Sequence, residues 1–249
     1  MKKKIALAAA AASLMFAGAA SAADMAPRYT KAPPPVIAPI YNWTGFYIGI
    51  NGGWASSHKC WDFAGTAAVP LAVLVAEGCH DATGGIIGGQ VGYNWQAGNW
   101  VFGLEAQGDW ADLKGQNVSL AFPTFTNRTR IDGIGLFTGR VGYAWNNVLL
   151  YVKGGAAVVH DKYNFFLNGA VVDTGVASET RWGGTVGTGV EIGFAPNWSV
   201  AFEYDHIFLG DRNITFTSPT FTVDRIRQDV DMVTARVNYR FGGPVVAKY

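Results

Sequence analysis

From Val233 to Phe241 every second residue is apolar (Val233, Ala235, Val237, Tyr239, Phe241), with Thr234, Arg236, Asn238 and Arg240 between them. A period of two describes a β-strand with one apolar and one polar face. Seven earlier stretches repeat the pattern: Thr44–Ser56, about Thr83–Gln96, Trp100–Asp112, Thr129–Trp145, Leu149–Asp161, Glu179–Ala195, and a run from Trp198 to about Phe208. The apolar rows carry aromatic residues near both ends, as strands do where they meet the two surfaces of a membrane.

The connections alternate in length. Ala97-Gly98-Asn99, Asn146-Asn147 and Ala195-Pro196-Asn197 are tight turns, whereas 57–82, 113–128, 162–178 and 210–227 are long and rich in polar or small residues. Outer-membrane barrels have short periplasmic turns and long extracellular loops. The outward aromatics then fall into two girdles. Phe46, Tyr93, Trp95, Trp100, Tyr143, Trp145, Phe194, Trp198, Tyr239 and Phe241 lie at the short-turn end, and Trp54, Trp110, Trp182 and Phe208 at the long-loop end. A soluble barrel would keep its apolar face inside and its charges outside. Here the charges share the face opposite the girdles. The pattern predicts an all-β fold: an eight-stranded antiparallel up-and-down transmembrane β-barrel with four long extracellular loops.

Residues 1–23 combine Lys2, Lys3 and Lys4 with an apolar run and Ala20-Ser21-Ala22, which predicts a signal peptide cleaved after Ala22 or Ala23. Export through it leaves 16 of the 19 Lys and Arg against 18 acids, so nothing in the charge points to nucleic acid. Residues 24–42 hold five of the ten prolines and read as a periplasmic linker. The barrel itself spans 43–241, and 242–249 forms a short periplasmic tail. Cys60 and Cys79 are the only cysteines, and a single even pair in an exported chain predicts a disulfide. His58 and His80 flank the pair, which leaves metal binding there as a lesser alternative.

The segment Tyr41–Trp54 (YNWTGFYIGINGGW), together with the terminal VNYRF, resembles the small outer-membrane β-barrel family of alphaproteobacteria, with its surface antigens and opacity-like, OmpA-type eight-stranded barrels. The resemblance covers the layout of the whole mature chain. It implies a monomeric or weakly associating barrel of the Gram-negative outer membrane, with both termini periplasmic, described as structural, porin-like or host-interacting. One departure is that eight residues follow Phe241, where barrel assembly signals usually end on the terminal aromatic. Tyr239 and Phe241 are the expected assembly signal, with Tyr249 as the alternative.

Counting inward from the turns places Glu105, Arg140, Lys153, Glu191, Glu203 and Arg236 at comparable heights, with Gln90 and Asn51 beside them. Eight strands enclose a lumen that its own side chains fill, so three acids and three bases there are expected to neutralise one another. Asp109, Asp132, Asp205, Arg130 and Arg181 are expected to continue this polar column toward the loops. A catalytic search is negative: adjacent Asp205 and His206 point to opposite faces, and no other histidine meets a nucleophile. No catalytic residue, cofactor or metal is predicted.

The apolar run Ala67–Ala76 in the first long loop either folds over the barrel mouth or forms a contact surface. The expected function is a structural outer-membrane protein that supports envelope integrity and presents surface loops, with its lumen plugged. A surface adhesion protein for a ligand, haem or host factor, or a narrow porin-like channel, is the alternative. The expected partners are outer-membrane lipid and lipopolysaccharide, the barrel assembly machinery, and an extracellular ligand or host surface.

Overall fold

The computed structural model describes residues 41–167, 175–216 and 222–242. The predicted signal peptide, residues 24–40 of the predicted linker, and Tyr249 with most of the predicted tail lie outside them. Eight strands follow in order: β1 (Gly45–Thr66), β2 (Pro70–Ala97), β3 (Trp100–Val118), β4 (Phe125–Trp145), β5 (Val148–Leu167), β6 (Gly175–Ala195), β7 (Trp198–Thr215) and β8 (Thr222–Phe241). Each pairs antiparallel with the next, and β8 closes on β1 with Val233 opposite Trp54 and Phe241 opposite Phe46. Closure removes every free sheet edge, the condition for crossing lipid with strands.

The three short turns are tied to the rim by one repeated device. Asn99, Asn147 and Asn197 each end a turn. In each, the backbone carbonyl accepts from, and the side-chain amide donates to, the backbone of one residue on the strand beyond: Ala144, Gly193 and Arg240 respectively. The turn chemistry is ordinary for hairpins, with Gly98 and Asn146 in the left-handed region at φ 61° and 53°.

Both aromatic girdles face outward and are exposed, as Trp95, Trp100, Trp145 and Phe194 at one end and Trp54, Trp110, Trp182 and Phe208 at the other illustrate. Much of what sequence reads as long loops is sheet. β1 and β2 run on past Trp54 until only residues 67–69 separate them, and β3 and β4 leave only 119–124. The twelve residues of β1 that follow Trp54, Ala55 to Thr66, carry the barrel roughly 25–30 Å beyond the outer girdle, at about 3.3 Å per residue and a tilt near 40°. Alternation of apolar and polar residues ends at the girdle because the extension faces no acyl chains. Its strands are held by backbone pairing and by an inner column of side chains.

One parity expectation is overturned. Arg130 and Asp132 point outward, with 53% and 28% of their side chains exposed. The β4–β5 register shifts between Ile131 and Gly133, so Thr129 and Ile131 face in on the extracellular side of the shift while Ile134 and Leu136 face in on its periplasmic side. One extra residue in a strand turns every later side chain to the other face.

Candidate functional site: the filled lumen and the extracellular crown

Inward side chains stack in layers from the periplasmic end. At the mouth, the chain leading into β1 crosses the opening. Trp43 is fully buried, donates from Nε1 to the Asn146 carbonyl at 3.2 Å, and packs on Val101, Ala144 and Leu149. The Arg240 guanidinium lies over both Trp43 and Tyr41, 4.7 and 5.0 Å from the ring centroids.

Above this mouth sits the charge layer, and all six residues named from sequence meet in it. Arg236 donates to Glu105 through two nitrogens at 2.9 and 3.1 Å and to Glu203 at 3.0 Å. Lys153 reaches Glu203 at 2.5 Å and Asp205 at 3.2 Å, and Arg140 reaches Glu191 at 3.2 Å. Two tyrosines outside the six complete the layer: Tyr47 donates to Glu105 and Tyr151 to Glu203, both at 2.7 Å. Their inward parity on β1 and β5 was the available signal. Arg140 also lies over both rings. Nearly every charge in the layer is buried, and paired charges with extra donors are the arrangement that makes such burial tolerable.

An apolar layer follows, built from Ile86, Leu113, Ile134, Leu136, Ile207 and Met232 with smaller neighbours. The sequence reading expected the polar column to continue here. Lumen-facing Ala, Ile and Leu interrupt it instead, and Asp109 and Asp205 belong to the charge layer beneath. A second polar set lies above the apolar one, beyond the membrane. Lys59 donates to Asp161 at 2.6 Å, both fully buried, and Arg181 and Tyr163 donate to Gln228. Burial holds the Lys59 ammonium down to about 8 against the upward pull of Asp161. An aromatic cluster closes this level, with Trp61 against Tyr163 and Phe216 and backed by Phe165 and Ile226.

Two acids stand at the top. Glu77 accepts from Asn127 at 2.7 Å, and Asp224 is 4% exposed with Oδ1 free of any hydrogen-bond donor among the described residues. Burial pushes the Asp224 carboxyl up to about 8, with the Glu77 charge acting in the same direction, and burial also raises Glu77.

Cys60 and Cys79 are bonded and directly opposed in the β1–β2 ladder. Of the flanking histidines only His58 approaches the bonded pair, its ring nitrogen and the two sulfurs lying within 4.8 Å of one another. His58 faces outward, with Nδ1 2.6 Å from Asp81 and Nε2 3.6 Å from Cys60 Sγ. His80 faces inward, and its Nδ1 and Nε2 contact Asn117 Oδ1 and Thr129 Oγ1. Burial lowers the His80 pKa, in keeping with a neutral ring that donates to Asn117 and accepts from Thr129. His206 pairs with Asp231 at 2.7 Å on the outer face, while Asp205 turns inward to Lys153.

Residues 8–241 match the family model described as the outer membrane protein beta-barrel domain. The chain belongs to this outer-membrane β-barrel family. It is 31% identical over 241 residues, 91% of this chain and 95% of the relative, to the 31 kDa outer-membrane immunogenic protein of Brucella melitensis biotype 1. It is 30% identical over 188 residues to the 22 kDa outer membrane protein of Rhizobium leguminosarum bv. viciae, covering 75% of this chain and 74% of that one. Among solved structures it is similar to outer membrane protein AlkL in lipid bilayers (TM-score 0.46, 14% identity, 87% of this chain and 98% of that one). It is also similar to the attachment invasion locus protein of Yersinia pestis (TM-score 0.40, 16% identity, 80% and 99%). The protein is thus an outer-membrane barrel related to immunogenic surface proteins, and its layered lumen lies within that family's fold.

Proposed function

We propose that the protein is a structural barrel whose lumen is closed to solutes and whose work lies in the outer-membrane envelope and at the extracellular crown. The observation that carries this reading is the stack across the lumen: Trp43 and Arg240 at the mouth, the charge layer around Arg236, then the apolar layer around Leu136. A hydrated path would have to break buried ion pairs and then wet an apolar constriction, and both steps are unfavourable. The barrel inserts as a monomer through the assembly machinery, which reads Tyr239 and Phe241 at the end of β8. Planar-bilayer recording of the refolded protein tests closure. The expected trace is a baseline without stable openings; reproducible stepwise conductance would replace this reading with the narrow channel.

A second reading, surface binding, is favoured by the apolar crown. Val73 is 78% and Leu120 72% exposed, with Val69 and Phe122 also exposed nearby in the extension. The Ala67–Ala76 run therefore stands out from the barrel as strand and turn. A patch of this kind at a cell surface suits an apolar partner surface. Replacing Val73 and Leu120 with Ser and measuring adhesion of expressing cells to a host-cell layer would test it, with unchanged adhesion counting against the crown as the contact.

A further inference from the structure

Just beyond the outer girdle, three cations stand side by side on adjacent strands. Lys114 on β3 pairs in register with Arg130 on β4, and Arg130 with Lys162 on β5. All three point away from the lumen, with side chains 60%, 53% and 49% exposed. Arg128, two residues further along β4, is exposed on the same face and lies over the Phe166 ring at 4.7 Å.

The row is held in place from below. Asp112 accepts from Lys114 at 2.8 Å and lies 3.3 Å from Arg130, and Asp132 accepts from Lys162 at 2.5 Å. Four cations against two carboxylates leave this face with two net positive charges. Around the barrel on β7 and β8, the outward arginines are balanced. Arg225 and Arg227 both bond Asp211, and Asp229 and Asp231 add further negative charge close by.

Height identifies what meets the row. Lys114 lies four residues above outward Trp110 on the same strand, about 10 Å along the membrane normal at the usual rise and tilt. That is the level of lipid headgroups, not of acyl chains or of open solvent. The bulge that turns Arg130 and Asp132 outward is what completes the row: with unbroken alternation, Arg130 would lie in the lumen.

We propose that Lys114, Arg130 and Lys162, with Arg128 above them, form a binding site on the outer wall of β3–β5 for the phosphorylated sugar headgroup of an outer-leaflet glycolipid. Guanidinium and ammonium groups spaced at strand intervals of about 4.8 Å can meet two phosphates of one headgroup, with Arg130 able to bond bidentately. The acyl chains of the same lipid would lie along the apolar wall below, past Trp110. The proposal rests on the outer-membrane placement of the barrel and is independent of whether the lumen conducts.

The test uses refolded full-length mature protein in micelles and purified bis-phosphorylated lipid A as probe, with retention read by native mass spectrometry and titration. The comparison is with the triple variant Lys114→Gln/Arg130→Gln/Lys162→Gln and a control, Arg212→Gln/Arg225→Gln/Arg227→Gln, in which Arg225 and Arg227 bond Asp211 and Arg212 lies 3.6 Å from Glu179. Each basic residue near an anionic lipid surface contributes enough for the first triple variant to bind on the order of 100-fold more weakly. The control and the wild type should match. Dephosphorylated lipid A should bind the wild type as weakly as phosphorylated lipid A binds the first triple variant. Equal loss in both triple variants, equal retention of the dephosphorylated probe, or full displacement by phosphatidylglycerol would each overturn the site. If the first triple variant loses heat-modifiable migration, the single variant Arg130→Gln is titrated instead. A shift of less than twofold there would overturn the site as well.

Discussion

Arg236 on β8 and Glu105 on β3 are separated by two intervening strands, yet their side chains meet in the lumen through two bonds of 2.9 and 3.1 Å. Only closure of the barrel brings them together. Removing Arg236 leaves Glu105 and Glu203 to share Lys153, which lies 3.7 and 2.5 Å from them, and removing one partner of a buried pair costs about 3–5 kcal/mol. Arg236→Met is expected to lower stability by that amount in urea unfolding from bilayers. The double variant Arg236→Met/Glu105→Gln is expected to recover part of the loss, since it removes one uncompensated charge. Equal stability of Arg236→Met and wild type would show that the pair contributes nothing.

The upper barrel is expected to loosen as pH rises. Asp224 has a folded pKa of about 8 against an ordinary value of 3.8, so between those values the folded chain keeps a proton that the unfolded chain has released. The resulting stabilisation is fully present below the unfolded value and is lost as pH rises toward about 8. Lys59 runs the other way, since its lowered folded pKa lets stability recover above about 8. Asp224→Asn removes the first dependence alone. Amide hydrogen exchange at Trp61 and Phe63 should show protection falling from pH 5 to pH 8 in the wild type and staying flatter in the variant.

The disulfide is expected to govern the hairpin above the girdle and not the barrel. Cys60→Ser/Cys79→Ser releases the β1–β2 extension midway along its length, a loss of at most about 3 kcal/mol in chain-entropy terms. Limited proteolysis should then cut within residues 61–78, while heat-modifiable migration of the barrel persists. A variant as resistant as wild type would mean that strand pairing alone holds the extension.

The end of β8 carries a prediction about assembly. Phe241 packs on Phe46 across the β1–β8 seam and on Tyr239 along its own strand, with ring centroids 5.9 and 5.0 Å apart. Phe241→Ala is expected to impair insertion in an outer-membrane assembly assay more than deletion of residues 242–249. The reverse order would move the signal to Tyr249.

By itself the sequence determined the strand count, the tight turns, the two girdles and the inward set Glu105, Arg140, Lys153, Glu191, Glu203 and Arg236. Each of these is a local matter, because a period of two sorts side chains between lipid and lumen without reference to any other strand. Tertiary structure decided what depends on register around a closed ring: which acid meets which base, the apolar layer above the charges, and Trp43 folded across the mouth. It also decided the outward turn of Arg130 and Asp132. A single inserted residue in β4 reverses facing from that point on, and its position is set by pairing with β3 and β5, which no periodicity within β4 records. The extension beyond the girdle was hidden for a related reason. Outside lipid, a strand's outer face need not be apolar, so the alternation that marks the membrane span fades where the sheet does not.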